Sequence, residues 1–305
     1  LIVILGTGGT IAGTASNAAD GVAYTAGQVG VAQLLGALPA SGIEALEVEQ
    51  LAQIDSKDLG PALWQTLAQR IEHHLARTEL AGIVITHGTD TLEETAYLLQ
   101  RVLAPAKPVV LTAAMRPSTS LQTDGPQNLL DALTLASYPN ARGVLVAMAG
   151  RVHAGAEVRK QHPYRLDAFD AGDAGPVALI AEGSVELLRN WPSGAALGLP
   201  RLMRDAQDWP WVEIVASHAG ADGRVVACLV AAGVRGIVVA ATGNGTVHRE
   251  LETALQAAQA AGVAVMRSTR CIAGGIVGQP AGALPSAGAL TPAQARVELM
   301  LRLLA

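Results

Sequence analysis

The chain opens on Leu1–Leu5, an unbroken aliphatic run rich in β-branching, which predicts a strand buried on both faces. A polar, Gly- and Ala-rich stretch follows, from Gly6 to about Gly30. A segment of that length without periodicity points to a functional loop. Val31–Leu38 reads as a short helix and Ile43–Ile54 as a strand, ended by the polar turn Asp55-Ser56-Lys57-Asp58. Pro61 stands at a helix start, with Leu63, Leu67, Ile71 and Leu75 as the apolar stripe. The pattern is then at its most regular. Strands Gly82–Thr86, Val109–Thr112 and Gly143–Ala149 alternate with helices Leu92–Leu103 and Pro126–Ser137, joined by the loops His87–Thr91 and Ala113–Gly125. This rhythm predicts βαβ units and a parallel sheet covered on both faces.

Between Asn190 and Pro210 the periodicity lapses into turn chemistry, as in Asn190-Trp191-Pro192-Ser193-Gly194 and Asp208-Trp209-Pro210. Beyond it, Val212–Ala216, Gly236–Ala241 and Val263–Arg267 read as strands. Gly223–Ala232, Arg249–Ala261 and Pro292–Leu304 read as helices, the last with Thr291 as its cap. The expected class is α/β. A larger N-terminal domain (1–190) holds a mostly parallel sheet covered by helices. A linker (191–210) leads to a smaller C-terminal α/β domain (211–305).

Composition narrows the function. Of 305 residues, 50% are apolar and 15% charged, which excludes a disordered chain. The net charge is −5, aromatics make up 3% and no Lys/Arg cluster is present, so nucleic acid is not an expected partner. No apolar run approaches the roughly 18–20 residues of a membrane span, so no membrane partner is expected either. Cys228 and Cys271 cannot build a disulfide framework or a four-thiolate site. Cys228, inside the run Val225–Val234, reads as a small buried hydrophobe. The compartment is read as cytoplasmic, with the periplasm left open because the chain begins at Leu1.

Ligands of open parallel sheets bind beyond the carboxyl ends of the strands, which directs attention to the loops after Leu5, Ile54, Thr86 and Thr112. Gly6-Thr7-Gly8-Gly9-Thr10-Ile11 has Ile where a dinucleotide fingerprint needs its third Gly, which counts against a nicotinamide dehydrogenase. The loop still permits close backbone approach, and Thr7, Thr10 and Thr14 put hydroxyls in it. In His87-Gly88-Thr89-Asp90-Thr91-Leu92-Glu93, Asp90 can cap the next helix with Glu93 as its capping-box partner. Thr89 has no such explanation. A Thr hydroxyl becomes a nucleophile when a base takes its proton. The chain has three lysines, Lys57, Lys107 and Lys160, and Lys160 is the one whose position after Gly143–Ala149 can return it over the same sheet edge. His73-His74 reads as an exposed helix pair. No Gly-x-Ser-x-Gly elbow or His-Glu-x-x-His helix occurs, so serine and zinc hydrolases are disfavoured and no metal site is expected.

Thr7-Gly8-Gly9-Thr10-Ile11-Ala12-Gly13 and His87-Gly88-Thr89-Asp90-Thr91-Leu92-Glu93-Glu94-Thr95-Ala96 resemble the two signature stretches of the bacterial L-asparaginase family. Ala114–Ser120, Asp124–Leu129, Gly243-Asn244-Gly245 and Leu290–Arg296 are similar to it as well, in the same order along nearly the whole chain. The resemblance implies hydrolysis of the asparagine side-chain amide to aspartate and ammonia, with weaker action on L-glutamine. It implies no cofactor, and a homotetramer built from tight dimers. By the same resemblance Thr10 is the nucleophile and Tyr24 the lid residue that activates it. Lys160 accepts a proton from Thr89, Asp90 orients Lys160 and meets the substrate ammonium, and Ser56 binds the substrate carboxylate. The N–H groups of Gly88–Asp90 are oxyanion-hole candidates.

Lys57 departs from the family's Gln or Glu in the substrate loop. It either opposes the substrate ammonium or turns to Asp55 and Asp58. Thr246 replaces the family's Asn, and Cys271–Gly288 holds no Asp or Glu where the family lends a carboxylate to its neighbour. The rival readings are an amidase for another small amide and a non-catalytic amino-acid-binding protein.

Overall fold

The structure is a computed structural model that describes residues 1–19, 21–36, 38 and 45–305. The chain divides into two compact units, Leu1–Pro200 and Arg201–Ala305.

In the first unit, β1 (Ile2–Gly8) ends in a 3-10 turn at Thr10–Ala12 and leads to α1 (Val31–Gly36). β2 (Leu46–Ile54), α2 (Pro61–Leu75), β3 (Gly82–Thr86), α3 (Leu92–Leu103), β4 (Pro108–Thr112), α4 (Gly125–Ala136) and β5 (Gly143–Met148) follow. The expected start of β2 at Ile43 and Glu44 lies outside the described residues, as does Ala37 in the expected first helix. Then come β6 (Arg151–Ala154), β7 (Arg159–Lys160), β8 (Phe169–Asp170), β9 (Ala178–Ala181) and β10 (Ser184–Leu187), none of which the hydrophobic pattern announces. These strands are two to four residues long, too short to carry a readable alternation.

Eight strands form one sheet in the order β10-β9-β6-β5-β4-β3-β1-β2, with β7 and β8 paired apart from it. β1 to β5 are mutually parallel, and β6, β9 and β10 extend the edge antiparallel. β1, β3, β4 and β5 are buried throughout, which is why their sequences run apolar without alternation. β2 is the edge strand and alternates between exposed and half-buried positions. The succession β2-β1-β3-β4-β5 reverses direction at β1, so the switch-point crevice opens between the carboxyl ends of β1 and β3.

The helices differ from expectation in detail. The buried stripe of α2 is Trp64, Leu67, Ala68, Ile71 and His74, shifted by one position from Leu63. His73-His74 is therefore not an exposed pair. His74 is buried and its Nε2 meets Glu49 at 3.1 Å, because it falls on the apolar stripe. Trp191 packs into the core of the first unit, with its ring 6.1 Å from that of Tyr138.

In the second unit, β11 (Val212–Ala216), β12 (Gly236–Ala241) and β13 (Ala264–Thr269) form a parallel sheet in that order. α5 (Arg224–Ala231) and α6 (Arg249–Ala260) cover one face, where Val226, Leu251 and Leu255 join Ile237, Val239 and Val265. α7 (Pro292–Leu303) covers the other, with Leu299 and Leu303 against Gly236. Thr291 and Gln294 close a capping box at its start. Cys228 is exposed, contrary to the expected burial. In α5 only Val226 is buried, so the apolar run Val225–Val234 continues onto the outer side of a short helix. No helix among the described residues is long and apolar enough to cross a membrane.

Candidate active site

The site is built where β1 and β3 end. Gly8 and Gly9 both take positive φ, so the chain turns sharply after β1 and presents Thr10 at the head of the 3-10 turn. The Gly9 N–H donates to the Ile54 carbonyl at 2.8 Å, which fastens this turn to the end of β2. Thr10 is buried, and its hydroxyl lies 2.7 Å from the Tyr24 hydroxyl. Tyr24 reaches it because Thr14 and Thr25 exchange two backbone hydrogen bonds of 2.9 Å.

The loop after β3 carries the second constellation. Lys160 Nζ donates to the Thr89 hydroxyl at 2.9 Å and to Asp90 Oδ1 at 2.7 Å. The structure thus brings Thr89, Asp90 and Lys160 into one hydrogen-bonded trio. Ser56, in the loop after β2, is buried and accepts the Asp90 N–H on its hydroxyl at 3.2 Å. Its own carbonyl accepts the Thr91 hydroxyl at 2.8 Å. Gly88 is held against it so closely that a Cβ there would fall 2.5 Å from Ser56 Oγ.

Two expectations change at this point, and one left open is resolved. Asp90 and Glu93 form no capping box. Thr91 is the N-cap of α3 and gives its hydroxyl to the Ser56 carbonyl rather than to the helix, while Asp90 is turned to Lys160 Nζ and Glu93 to the Lys160 backbone N–H at 2.7 Å. Of the three N–H groups proposed for an oxyanion, that of Asp90 is engaged by Ser56. Those of Gly88 and Thr89 donate to no group among the described residues. Lys57 turns away, its Nζ lying 2.6 Å from Asp55 and 3.7 Å from Asp58, with the side chain 61% exposed. It takes the second of its two open orientations.

His87 has a part that the sequence does not announce. Its Nδ1 lies 2.7 Å from the Gly88 carbonyl, which can only accept, so Nδ1 carries the proton. Burial pushes the ring down to about 4, so it is neutral near pH 7 and Nε2 is an acceptor. Thr95 therefore donates to Nε2 at 3.0 Å and accepts from Trp64 Nε1 at 2.9 Å. A trans peptide points its C=O and N–H in opposite directions. By holding the Gly88 carbonyl, this chain of bonds turns the free Thr89 N–H to the other side. The clue lay in spacing alone: Thr95 stands eight residues beyond His87, near the start of α3, and Trp64 lies on α2.

Burial, its largest influence, and Glu94 push Glu93 up to about 7, against the opposing Lys160 N–H bond and the charges of Arg159 and Lys160. Among the described residues no group of His, Cys, Asp or Glu is arranged to hold a metal ion.

The family model described as "Asparaginase, N-terminal" matches residues 1–193, and that described as "Glutaminase/Asparaginase C-terminal domain" matches residues 211–305. L-asparaginase 2 of Escherichia coli is 39% identical over 310 residues, an overlap of 99% of this chain and 88% of that protein. A glutaminase-asparaginase of Pseudomonas fluorescens is 36% identical, over 90% of this chain and 77% of that protein. The crystal structure of a probable cytoplasmic L-asparaginase from Campylobacter jejuni superposes with a TM-score of 0.93 at 36% identity, covering 99% of this chain and 94% of that one. With both segments matched, relatives aligned over nearly the whole chain and one shared fold, the chain belongs to the asparaginase family.

Proposed function

We propose that the chain hydrolyses the side-chain amide of L-asparagine to L-aspartate and ammonia, with weaker action on L-glutamine. The observation that carries this reading is the trio in which the Thr89 hydroxyl meets the Lys160 amine at 2.9 Å and Asp90 holds that amine at 2.7 Å. A hydroxyl, a proton acceptor and an orienting carboxylate are the groups amide hydrolysis needs.

Thr10 attacks the amide carbon while its proton passes to the Tyr24 hydroxyl across their 2.7 Å contact, and Tyr24 gives up its own hydroxyl proton toward the leaving nitrogen. The Gly88 and Thr89 N–H groups stabilise the oxyanion, and the leaving nitrogen takes up a proton and departs as ammonia. Water then attacks the Thr10 ester, Thr89 and Lys160 take its proton, and a proton returns to the Thr10 oxygen as that bond breaks and aspartate leaves. The direct amine contact of Thr89 favours a second reading in which Thr89 attacks first. Trapping the acyl-enzyme and mapping the modified threonine decides between them.

Ser56 supports recognition of the substrate carboxylate. It also supports the site itself, since it holds the Asp90 N–H. Kinship with the family supports a homotetramer of tight dimers, which light scattering would test. Cys271–Gly288 holds no carboxylate and Thr246 is tied to Thr242 by a 2.8 Å hydroxyl contact, which together favour a weaker hold on the substrate ammonium. The reading therefore includes a Michaelis constant above the low micromolar range.

The test is ammonia release from L-asparagine and L-glutamine, with Thr89→Ala as the control. Release from L-asparagine that the folded variant lacks supports the reading. No release from either amide by folded protein overturns it and leaves an amino-acid-binding protein or an amidase for another substrate.

A further inference from the structure

Glu93 sits in the first turn of α3, where the sequence assigns it to a capping box. Its side chain instead crosses to another element, accepting the backbone N–H of Lys160 at 2.7 Å. Lys160 lies on β7, a two-residue strand paired only with β8, and neither strand joins the eight-stranded sheet. β8 therefore supports the lysine from one side alone. From the other side it is gripped at two points by one short stretch of chain. Thr89 and Asp90 hold the amine, and Glu93 holds the main chain from which the side chain springs. A lysine side chain is a long flexible stem, so the reach of its amine is set by where its backbone is fixed.

We propose that Glu93 is a positioning residue for the amide hydrolysis. It fixes the Lys160 main chain against the turn carrying Thr89 and Asp90, so that the amine stands at the Thr89 hydroxyl before substrate arrives. The inference rests on the roles given above to Thr89 and Lys160.

The carboxyl faces Glu94 on its own helix and Arg159 and Lys160 on β7. Protonated or ionised, it offers an oxygen to the N–H, and so would a glutamine amide. That makes the role separable from charge.

The experiment compares Glu93→Gln, Glu93→Met and Lys160→Met, measuring kcat and KM for L-asparagine together with thermal melting. Glu93→Gln is expected to keep kcat within about threefold. Glu93→Met, of similar volume but without an acceptor, is expected to lower kcat about tenfold or more with KM within about threefold, as loss of one positioning hydrogen bond would. Wild-type kcat in folded Glu93→Met overturns the inference, as does an equal loss in the Gln and Met variants. If Glu93→Met fails to fold, a tenfold loss of kcat in folded Glu93→Gln overturns it alone, and Glu93→Ala replaces Met in the comparison. Lys160→Met separates the two levels. Wild-type turnover there removes the underlying reading, whereas an inactive Lys160→Met beside a fully active Glu93→Met removes only the part played by Glu93.

Discussion

Gly9 and Gly88 lie backbone against backbone: a Cβ on Gly9 would stand 2.4 Å from both the Cα and the N of Gly88. The two glycines come from the loops after β1 and β3, so this contact fixes how closely the Thr10 and Thr89 turns approach. Gly9→Ala has no flexible neighbour to displace, and Gly9 has φ +82, where a Cβ is strained in any case. We expect a loss of about 100-fold or more in kcat/KM, since a shift of about 1 Å at a reacting group costs that much. Ammonia release by the folded variant checks it, and activity within threefold of wild type would show that the turns can part without harm.

Tyr24→Phe removes one hydroxyl and keeps the ring. If that hydroxyl moves the Thr10 proton, kcat falls by about 100-fold, the lower end of what a positioned acid or base contributes. KM should change little, because the tyrosine meets Thr10 through its hydroxyl at 2.7 Å. A variant whose loss lies wholly in KM would assign Tyr24 to substrate binding instead.

Lys57→Gln should leave KM for L-asparagine within about threefold, since the lysine is turned to the surface and paired with Asp55. A marked fall in KM would mean that the cation had been opposing the substrate ammonium. Steady-state kinetics at two ionic strengths settles the point.

His153 is fully buried, and neither of its ring nitrogens meets a hydrogen-bond partner among the described residues. Burial pushes its pKa down to about 4, with Arg151 and Arg189 acting in the same direction and Asp170 against them. The folded value lies below the unfolded one. The stability tied to the neutral ring is therefore present above pH 6.5 and lost as pH falls from 6.5 toward 4, by about 3 kcal/mol over the whole window. His153→Leu should flatten the acid side of the stability curve and raise the melting temperature at pH 7, with turnover unchanged. Urea unfolding at pH 7, 5.5 and 4.5 reads the difference. Parallel curves for the two proteins would place the titration elsewhere.

The sheet and its parallel order were legible because β1, β3, β4 and β5 are buried on both faces and must be apolar at every position. The strands from β6 to β10 were not, since two to four residues carry no periodicity. At the site, Thr10 and Thr89 stood out as hydroxyls in Gly-rich loops at strand ends. Glu93 departs from its expected capping role for a physical reason. Its spacing from Asp90 satisfies the capping rule, and only the long-range return of Lys160 diverts both carboxylates. His87 leaves no sequence signal, because its work is done through a neighbouring carbonyl and a hydroxyl on α3, which no local pattern records.

Lys160 rides on a two-stranded hairpin that shares no ladder bond with the main sheet. The Lys160 amine can thus be repositioned separately from the threonines. Changes in residues 159–170 can lengthen, stiffen or tilt the arm that delivers the amine, while the register of β1 against β3 stays as it is. That arm is an adjustable part mounted beside a fixed frame.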